Sequence, residues 1–289
     1  MMKLNKIISV SMGLMLVLFL NSCSKDDDSI IQEEAYQRTQ IPENISDIFV
    51  TKGDANAKTV WIYEQGGPTT ELDDVDLSNF PNYDKQFNVY VHQVLTYDKD
   101  LRNEELTTGQ GEKETAVNIE ILHKVIQHFK NQGKKVVVFG HSYGAFIVTN
   151  YLAEKGTALA DKYVIMAGRL DAEQKFYEGL INKKFHYFPD FVTPTLHPTR
   201  QPENNKDRIE LFLAGLIMKP RYTQELNSAD LSKVIYAFAN DDSALGRLTT
   251  SEKNFLKSKK AEVLEITKGG HSAMFEAPHN KTIYDFITK

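Results

Sequence analysis

A serine stands between two glycines at residues 140–144, in the sequence Gly-His-Ser-Tyr-Gly. The run Lys-Lys-Val-Val-Val-Phe at 134–139 precedes it and does not alternate, which is typical of a strand buried on both faces. Residues 145–154 then favour a helix. A sharp turn between strand and helix exposes the serine hydroxyl at the helix N-terminus, where backbone N–H groups favour negative charge. The pattern predicts Ser142 as a nucleophile for acyl transfer.

A serine nucleophile needs a base, and the chain has eight histidines. His271 follows the last predicted strand in the segment Lys-Gly-Gly-His-Ser at 268–272, and the two glycines give its loop the freedom to reach Ser142. His141 is next to the serine, but a sharp turn directs adjacent side chains apart. Of the remaining histidines, His123 and His128 favour exposed helix positions and His92 a buried structural one. His186 and His197 fall within residues 169–228, and His279 follows a proline near the C-terminus. We therefore predict His271 as the base.

The base needs an acid that holds its ring in the correct tautomer and stabilises it when charged. The residues Ala-Asn-Asp-Asp-Ser at 239–243 follow a predicted strand at 234–238. Asp241 and Asp242 both lie at this strand end, and both would also suit a simple turn. Position alone leaves either aspartate as the acid.

An oxyanion also needs backbone N–H donors, each contributing about 3 kcal/mol. Gln-Gly-Gly-Pro at 65–68 follows the strand predicted at 59–63, and glycine lets the backbone approach a developing charge. We assign the two donors to the backbone N–H groups of Gly67 and Tyr143. The alternative is that Gly-Gly-Pro forms only a tight turn.

Taken together, these segments resemble the α/β-hydrolase superfamily from about residue 46 to the C-terminus. The order serine, acid, histidine is the one found there. Superfamily members usually show Gly-x-x-Asp after the acid-bearing strand, and Ala239 occupies the glycine place, so the resemblance implies Asp242 as the acid. It further implies a cofactor-free serine hydrolase that forms an acyl-enzyme on Ser142, with His271 as base.

Residues 65–68 also resemble the His-Gly-Gly-Pro-Gly segment of the prolyl iminopeptidase branch, which would imply release of N-terminal amino acids. Gln65 stands in place of the histidine and Thr69 in place of the last glycine. The Asp-x-Arg-Gly segment of that branch has no counterpart here, since Tyr-Asp-Lys-Asp-Leu-Arg at 97–102 has no glycine.

The elements that must position these residues alternate between strand and helix. Apolar runs predict strands at 47–51, 59–63, 87–95, 134–139, 162–167, 234–238 and 262–266, and helical spacing predicts helices at 112–132, 145–154, 250–258 and near Thr282. The first two strands are predicted to form a hairpin around the polar turn at 53–56. The alternation predicts an α/β fold, a mostly parallel sheet with helices on both faces. Residues 169–228 break the rhythm, and we interpret them as a cap over the substrate entrance, the alternative being a purely structural connection.

The N-terminus has the pattern of an export signal. Lys3 and Lys6 precede a 14-residue run without charge at 7–20, which is too short to span a bilayer comfortably. Cys23, the only cysteine in the chain, follows this run in the sequence Leu-Asn-Ser-Cys, which resembles the lipobox of bacterial lipoproteins. That resemblance implies cleavage before Cys23 and lipid attachment to its sulfur. The alternative is an ordinary secretory signal with an incidental cysteine.

We therefore divide the chain into a signal peptide at 1–22, a tether at 23–45 and a hydrolase domain at 46–289. The tether begins Cys-Ser-Lys-Asp-Asp-Asp, and such an acidic run cannot pack into a core. It is either a plain solvated linker or a signal of the Lys-Asp type that directs some Gram-negative lipoproteins to the cell surface. The expected location is a bacterial membrane, the outer one or the cell surface, with the lipid anchor as the membrane contact.

Composition narrows the function classes. The net charge is −5, from 34 basic and 39 acidic residues without basic clusters, which argues against a nucleic-acid surface. No residue group has zinc-ligand spacing and no glycine-rich phosphate loop is present, so we expect neither a metal nor a cofactor. The expected substrate is a small ester or a short peptide. The alternative function is a catalytically silent surface lipoprotein that uses the same fold to bind a ligand or partner.

Overall fold

The computed structural model describes residues 36–289, of which Gln37–Lys289 form one compact body. The predicted signal peptide, Cys23 and the first part of the tether lie outside the described residues. No helix in the described part of the chain is long and apolar enough to cross a membrane.

Residues 36–289 contain nine strands and eight α-helices. The strands are β1 (Phe49–Gly53), β2 (Thr59–Glu64), β3 (Phe87–Val91), β4 (Lys135–His141), β5 (Lys162–Met166), β6 (His186–Tyr187), β7 (Thr195–Leu196), β8 (Val234–Ala239) and β9 (Glu262–Ile266) in residues 36–289. The helices of the same region are α1 (Val94–Tyr97), α2 (Thr108–Asn131), α3 (Tyr143–Lys155), α4 (Gln174–Ile181), α5 (Asn205–Met218), α6 (Tyr222–Glu225), α7 (Thr250–Ser258) and α8 (His279–Thr288). Short 3-10 turns add Ile45–Ile48, Asp76–Asn79, Tyr83–Lys85, Asp100–Asn103 and Gly270–Phe275.

Seven strands form one sheet in the order β1-β3-β2-β4-β5-β8-β9, and every neighbouring pair except β1 with β3 is parallel. All six residues of β8 are buried, as are the last six of β4. Consecutive buried residues in a strand require cover on both faces of the sheet. The predicted fold class, a mostly parallel sheet with helices on both faces, is confirmed. In such sheets the loops at the carboxyl ends of the strands build the site.

The predicted hairpin between the first two strands is wrong. β3 lies between them, with Phe49 of β1 opposite Val91 and Val60 of β2 opposite Phe87. β2 is buried from its second residue to its last, whereas β1 keeps exposed residues along its length. A strand that is buried on both faces suits an interior position between parallel neighbours, and a half-exposed strand suits the sheet edge.

The cap region leaves the sheet after β5 and returns before β8. It contains α4, the antiparallel pair β6 and β7, α5 and α6. Helix α5 packs against α4 within the cap and against α2 and α3 of the main body. A Cβ atom at Gly215 of α5 would lie 2.7 Å from backbone atoms of Tyr177 and Ile181, so glycine allows the two cap helices to approach closely.

Candidate active site

Ser142 occupies the turn between β4 and α3 in a conformation that residues other than glycine rarely adopt. Its φ is 56° and its ψ is −115°. Its backbone N–H donates to the carbonyl oxygen of Met166 at the end of β5, at 2.9 Å. Strain of this kind persists only where the surroundings enforce it, and here it places the hydroxyl at the start of a helix above the sheet.

The two glycines that flank this turn are required by close backbone approach. A Cβ atom at Gly140 would lie 2.3 Å from the carbonyl oxygen of Gly144. A Cβ atom at Gly144 would lie 2.1 Å from the carbonyl oxygen of Glu64 on the neighbouring strand. Real Cβ atoms do not approach other atoms this closely, so the strand and the helix can pass each other only with glycine at both positions.

His271 and Asp242 form a direct pair at the carboxyl ends of β9 and β8. The Nδ1 atom of His271 lies 2.7 Å from Oδ2 of Asp242. The Asp242 side chain is 2% exposed, and its other oxygen accepts hydrogen bonds from the backbone N–H groups of Ala244 at 2.7 Å and Leu245 at 3.1 Å. With Nδ1–H donating to the carboxylate, the Nε2 atom of His271 is the ring nitrogen left to accept a proton.

Asp241, the neighbouring aspartate, has a different task. Its two carboxylate oxygens accept the backbone N–H groups of Gly270 at 2.8 Å and Gly269 at 3.1 Å. These two hydrogen bonds lower the pKa of Asp241, since they stabilise its charged form. Asp241 therefore supports the loop that carries His271, while Asp242 contacts the imidazole ring.

The predicted oxyanion donors lie on the two loops that meet at Ser142. Tyr143 is the first residue of α3, so its N–H has no acceptor within the helix. Gly67 has a φ of 136°, which favours glycine, and it lines the same cavity as Ser142. A Cβ atom at Gly66 would lie 3.3 Å from the Cβ atom of Ser142, so the glycine loop runs directly beside the serine.

A cavity of about 320 Å³ lies between the sheet and the cap and includes Ser142 in its wall. Most of its cap wall is apolar, formed by Phe176, Leu180, Phe185, Leu211, Ala214 and Met218. Ala244 and Leu245 of the loop after β8 complete that wall. Four polar residues of the cap also line the cavity, His186, Arg200, Asp207 and Glu210, beside Thr69 and Ser142 of the main body.

Solved structures share this architecture. A lipase-esterase related protein from Clostridium acetobutylicum has a TM-score of 0.51 and 14% identity, over 83% of this chain and 97% of that one. MGS-M2, an α/β hydrolase enzyme from a deep-sea metagenome library, has a TM-score of 0.55 and 14% identity, over 83% and 94% of the two chains. The chain has the α/β-hydrolase fold.

The esterase RhEst1 from a Rhodococcus species is similar to the same extent, with a TM-score of 0.52 and 13% identity over 83% of this chain and 94% of that chain. No family model and no curated protein matches the sequence. At identities this low, the similarity establishes the fold of the chain and leaves its reaction to be argued from the site.

His141 has a positioning contact that the sequence analysis missed. Its Nε2 lies 3.0 Å from the carbonyl oxygen of His271. A carbonyl oxygen only accepts, so Nε2–H of His141 is the donor. Burial, followed by the nearby His271 ring, lowers the pKa of His141 to about 4, and the ring is neutral at neutral pH. The residue before the serine thus fixes the backbone of the base.

Gln65 organises the glycine loop. Its Nε2 donates to the Thr69 hydroxyl at 3.0 Å and to the Glu71 carbonyl at 2.8 Å, and its Oε1 accepts the N–H of Asp73. Its own carbonyl oxygen accepts the N–H of Gly144 at 2.9 Å. Gln65 therefore connects the glycine loop to the first turn of α3.

Two carboxyl groups near the site have raised pKa values. Glu64 lies fully buried at the end of β2, and burial raises its pKa well above the usual range, favouring the neutral acid beneath the glycine loop. Glu210 lies on α5 in the wall of the cavity, and burial raises its pKa to about 7. The charges facing Glu210 are Lys206 and Asp207 on the same helix, Arg200 of the cap and Arg102 of the main body. The charge of the cavity wall therefore changes near neutral pH.

Proposed function

We propose that this α/β-hydrolase cleaves a small ester or amide through a Ser142–His271–Asp242 triad and an acyl-enzyme. The observation that carries the proposal is the His271–Asp242 pair, 2.7 Å apart, on loops that follow β9 and β8 of the same sheet whose strand β4 ends in the strained serine turn. A buried carboxylate on Nδ1 leaves Nε2 of the imidazole for the serine proton, which is the arrangement that activates a hydroxyl.

The reaction proceeds in two halves. His271 Nε2 removes the proton of the Ser142 hydroxyl as Oγ bonds to the carbonyl carbon, and the backbone N–H groups of Gly67 and Tyr143 stabilise the resulting oxyanion. The imidazolium then gives that proton to the leaving alkoxide or amine as the carbon–leaving group bond breaks. A water molecule then gives a proton to His271 as its oxygen bonds to the acyl carbon. The bond between that carbon and Ser142 Oγ breaks, the proton passes from His271 to Oγ, and the carboxylic acid leaves.

The cavity supports a small, mainly apolar acyl or leaving group. Its volume of about 320 Å³ is near the lower end of the range for small-molecule sites, about 300–1,000 Å³. Esters and short aminoacyl amides both fit this size. Rates on ester and aminoacyl amide substrates distinguish an esterase from an aminopeptidase.

The protein is proposed to act at a bacterial membrane, exported and anchored through a lipid on Cys23. The described chain begins on the main body, where the Arg38 guanidinium pairs with Glu120 of α2 at 2.7 Å and the Thr39 hydroxyl donates to Asp98 at 2.8 Å. The tether would then connect the lipid to the body.

Steady-state hydrolysis tests the proposed reaction. Full-length protein is assayed against 4-nitrophenyl esters of two to eight carbons and against aminoacyl 4-nitroanilides, beside Ser142→Ala. Turnover that falls by several orders of magnitude in Ser142→Ala supports the triad. Equal rates for the two proteins, or no hydrolysis of any substrate by a folded wild type, would reject it, and the second result favours the ligand-binding alternative.

A further inference from the structure

The loop that carries Asp242 is held by the cap as well as by the sheet. It runs from the end of β8 to the start of α7 at Thr250. Two backbone hydrogen bonds cross from the cap to this loop. The N–H of Phe188 donates to the carbonyl oxygen of Ser243 at 2.8 Å, and the N–H of Arg247 donates to the carbonyl oxygen of Phe191 at 2.9 Å. We call residues 242–249 the acid loop.

Side-chain packing makes this contact close. Gly246 of the acid loop has a φ of 72°, and a Cβ atom there would lie 2.7 Å from Cδ1 of Phe188 and 3.1 Å from the carbonyl oxygen of Phe191. Phe188 is buried, and its ring centroid lies 5.0 Å from that of Phe176, which lines the cavity. Only a glycine fits between the acid loop and the cap at this point.

A buried ion pair joins the far end of the acid loop to the base of the cap. Glu252 Oε1 accepts from Arg169 Nε at 3.2 Å and from the backbone N–H groups of residues 170–171 at 2.9 and 3.1 Å. Its Oε2 accepts from the N–H and the hydroxyl of Thr249 at 2.7 and 2.8 Å. The Arg169 guanidinium also donates to the carbonyl oxygen of Leu245 at 3.4 Å. Both charged side chains are at most 3% exposed, so the junction is sealed from water.

These contacts lead directly to the carboxylate of Asp242. The backbone N–H groups of Ala244 and Leu245 hold its Oδ1, while its Oδ2 holds His271. The same two residues, Ala244 and Leu245, face the cavity. A displacement of the cap would therefore move the groups that orient Asp242, and a ligand in the cavity would contact the same loop.

We propose that the cap sets the position of the triad acid, with Phe188, Gly246 and Glu252 as positioning residues that act through Asp242. This inference rests on the proposed function of the triad. Its consequence is that disturbing the junction between cap and acid loop lowers kcat, because the base is misdirected, while substrate affinity changes little. A cap that only forms the cavity wall would instead change KM.

Gly246→Ala tests this inference, with Gly133→Ala as the matched control. Gly133 has a φ of 73°, within a degree of Gly246, but no atom would lie within 4 Å of its Cβ atom. Both variants therefore carry the same backbone strain, and only Gly246→Ala pushes the cap away from the acid loop. We expect Gly246→Ala to lower kcat by about tenfold to a hundredfold with KM within about threefold of wild type, the scale known for small misplacements of catalytic groups. Gly133→Ala should keep the wild-type kcat.

A second-site variant separates positioning from general damage. Phe188→Val removes the Cδ1 and Cε1 atoms that the new methyl group meets, so Gly246→Ala combined with Phe188→Val should have a higher kcat than Gly246→Ala alone. If Gly246→Ala does not fold, Thr249→Val takes its place, because it removes one donor from Glu252 and keeps the side-chain volume. Thr107→Val at the start of α2, where the same type of capping box is present, is its control. Thr249→Val should lower kcat and Thr107→Val should not.

The outcomes distinguish this inference from the function beneath it. Reaction with a fluorophosphonate is followed in every variant. A wild type that is labelled, beside a Gly246→Ala protein with equal kcat and equal labelling rate, would overturn the coupling and leave the triad intact. A loss of kcat that is equal in Gly246→Ala and Gly133→Ala would also overturn it. A folded wild type without any labelling would overturn the proposed function and this inference together.

Discussion

The Nε2 atom of His141 lies 3.0 Å from the carbonyl oxygen of His271, and the two imidazole rings lie 4.9 Å apart. The residue directly before the candidate nucleophile therefore forms a hydrogen bond with the backbone of the candidate base, 130 residues later in the chain. Phe275 packs edge-on against the same His141 ring at 4.9 Å. One buried side chain thus joins the strand that leads to Ser142 to the loop that carries His271.

Removing the His141 donor should lower activity. His141→Leu fills the same buried space with an apolar side chain that cannot donate a hydrogen bond to the His271 carbonyl oxygen. We expect kcat to fall by about tenfold to a hundredfold. His141→Gln retains an N–H donor and should lose less. Steady-state kinetics on both variants measure the difference, and equal losses would show that the hydrogen bond has no part in the effect.

His141 should also make the protein sensitive to acid. Its pKa falls from an ordinary value of 6.5 to about 4 on folding, so the unfolded chain binds more protons than the folded one between these values. Stability is therefore lost as pH falls from 6.5 to 4, by about 3 kcal/mol from this group. Urea unfolding at pH 7 and at pH 4.5 should show a smaller loss in His141→Leu than in wild type. An equal loss of unfolding free energy in the two proteins would contradict this role of His141.

Asp242 and Asp241 should respond differently to the same substitution. Asp242→Asn removes the acceptor for His271 Nδ1–H, and we expect kcat to fall by roughly 10³ to 10⁴ with KM little changed. Asp241→Asn leaves the proton-transfer chain intact and should stay within about tenfold of wild type. The check is steady-state kinetics, with circular dichroism to confirm folding. A crippled Asp241→Asn beside an active Asp242→Asn would exchange the two roles.

Glu210 should give the cavity a pH-dependent charge. Its pKa is raised to about 7, so the carboxyl is neutral below that pH and negative above it. A cationic competitive ligand such as butylammonium should then bind about fivefold more tightly at pH 8.5 than at pH 6, the scale of an exposed ion pair. Glu210→Gln should remove this dependence, and 1-butanol should show little dependence in either protein. Inhibition constants measured at the two pH values decide the point, and an unchanged dependence in Glu210→Gln would contradict it.

Lipid attachment to Cys23 is a separate prediction. The wild-type chain expressed in a Gram-negative host should incorporate radiolabelled palmitate and partition into detergent. Cys23→Ala should do neither, because Cys23 is the only cysteine in the chain. Equal labelling, or equal solubility without labelling, would contradict lipidation.

Local sequence patterns predicted the strands of the main sheet, but they did not predict contacts between residues that are far apart in the chain. The unbroken apolar run before Ser142 predicted the buried strand β4 because a central strand must be apolar on both faces. β1 pairs with β3, which lies more than thirty residues later in the chain. The turn between β1 and β2 therefore led to the wrong prediction of a hairpin. Helix α2 begins at Thr108, four residues before the predicted start, because Thr107 and Gln110 form a capping box.

The same limit applies to the site. Ser142, His271 and the two aspartates have motif or strand-end signals, and the structure brings His271 and Asp242 into contact. Gln65 and Glu252 have no such signal, because their roles are hydrogen bonds to backbone groups that come close only in the folded chain. The one available sign for Gln65 was its position beside Gly-Gly-Pro.

Covalent labelling of Ser142 tests the central claim most directly. Detergent-solubilised full-length protein is incubated with a fluorophosphonate and analysed by intact mass and by peptide mapping. We predict one adduct for each chain, on the peptide that contains Ser142, and no adduct on Ser142→Ala or on protein unfolded before the reaction. An adduct on another serine, or a folded wild type that takes up no label, would contradict the triad.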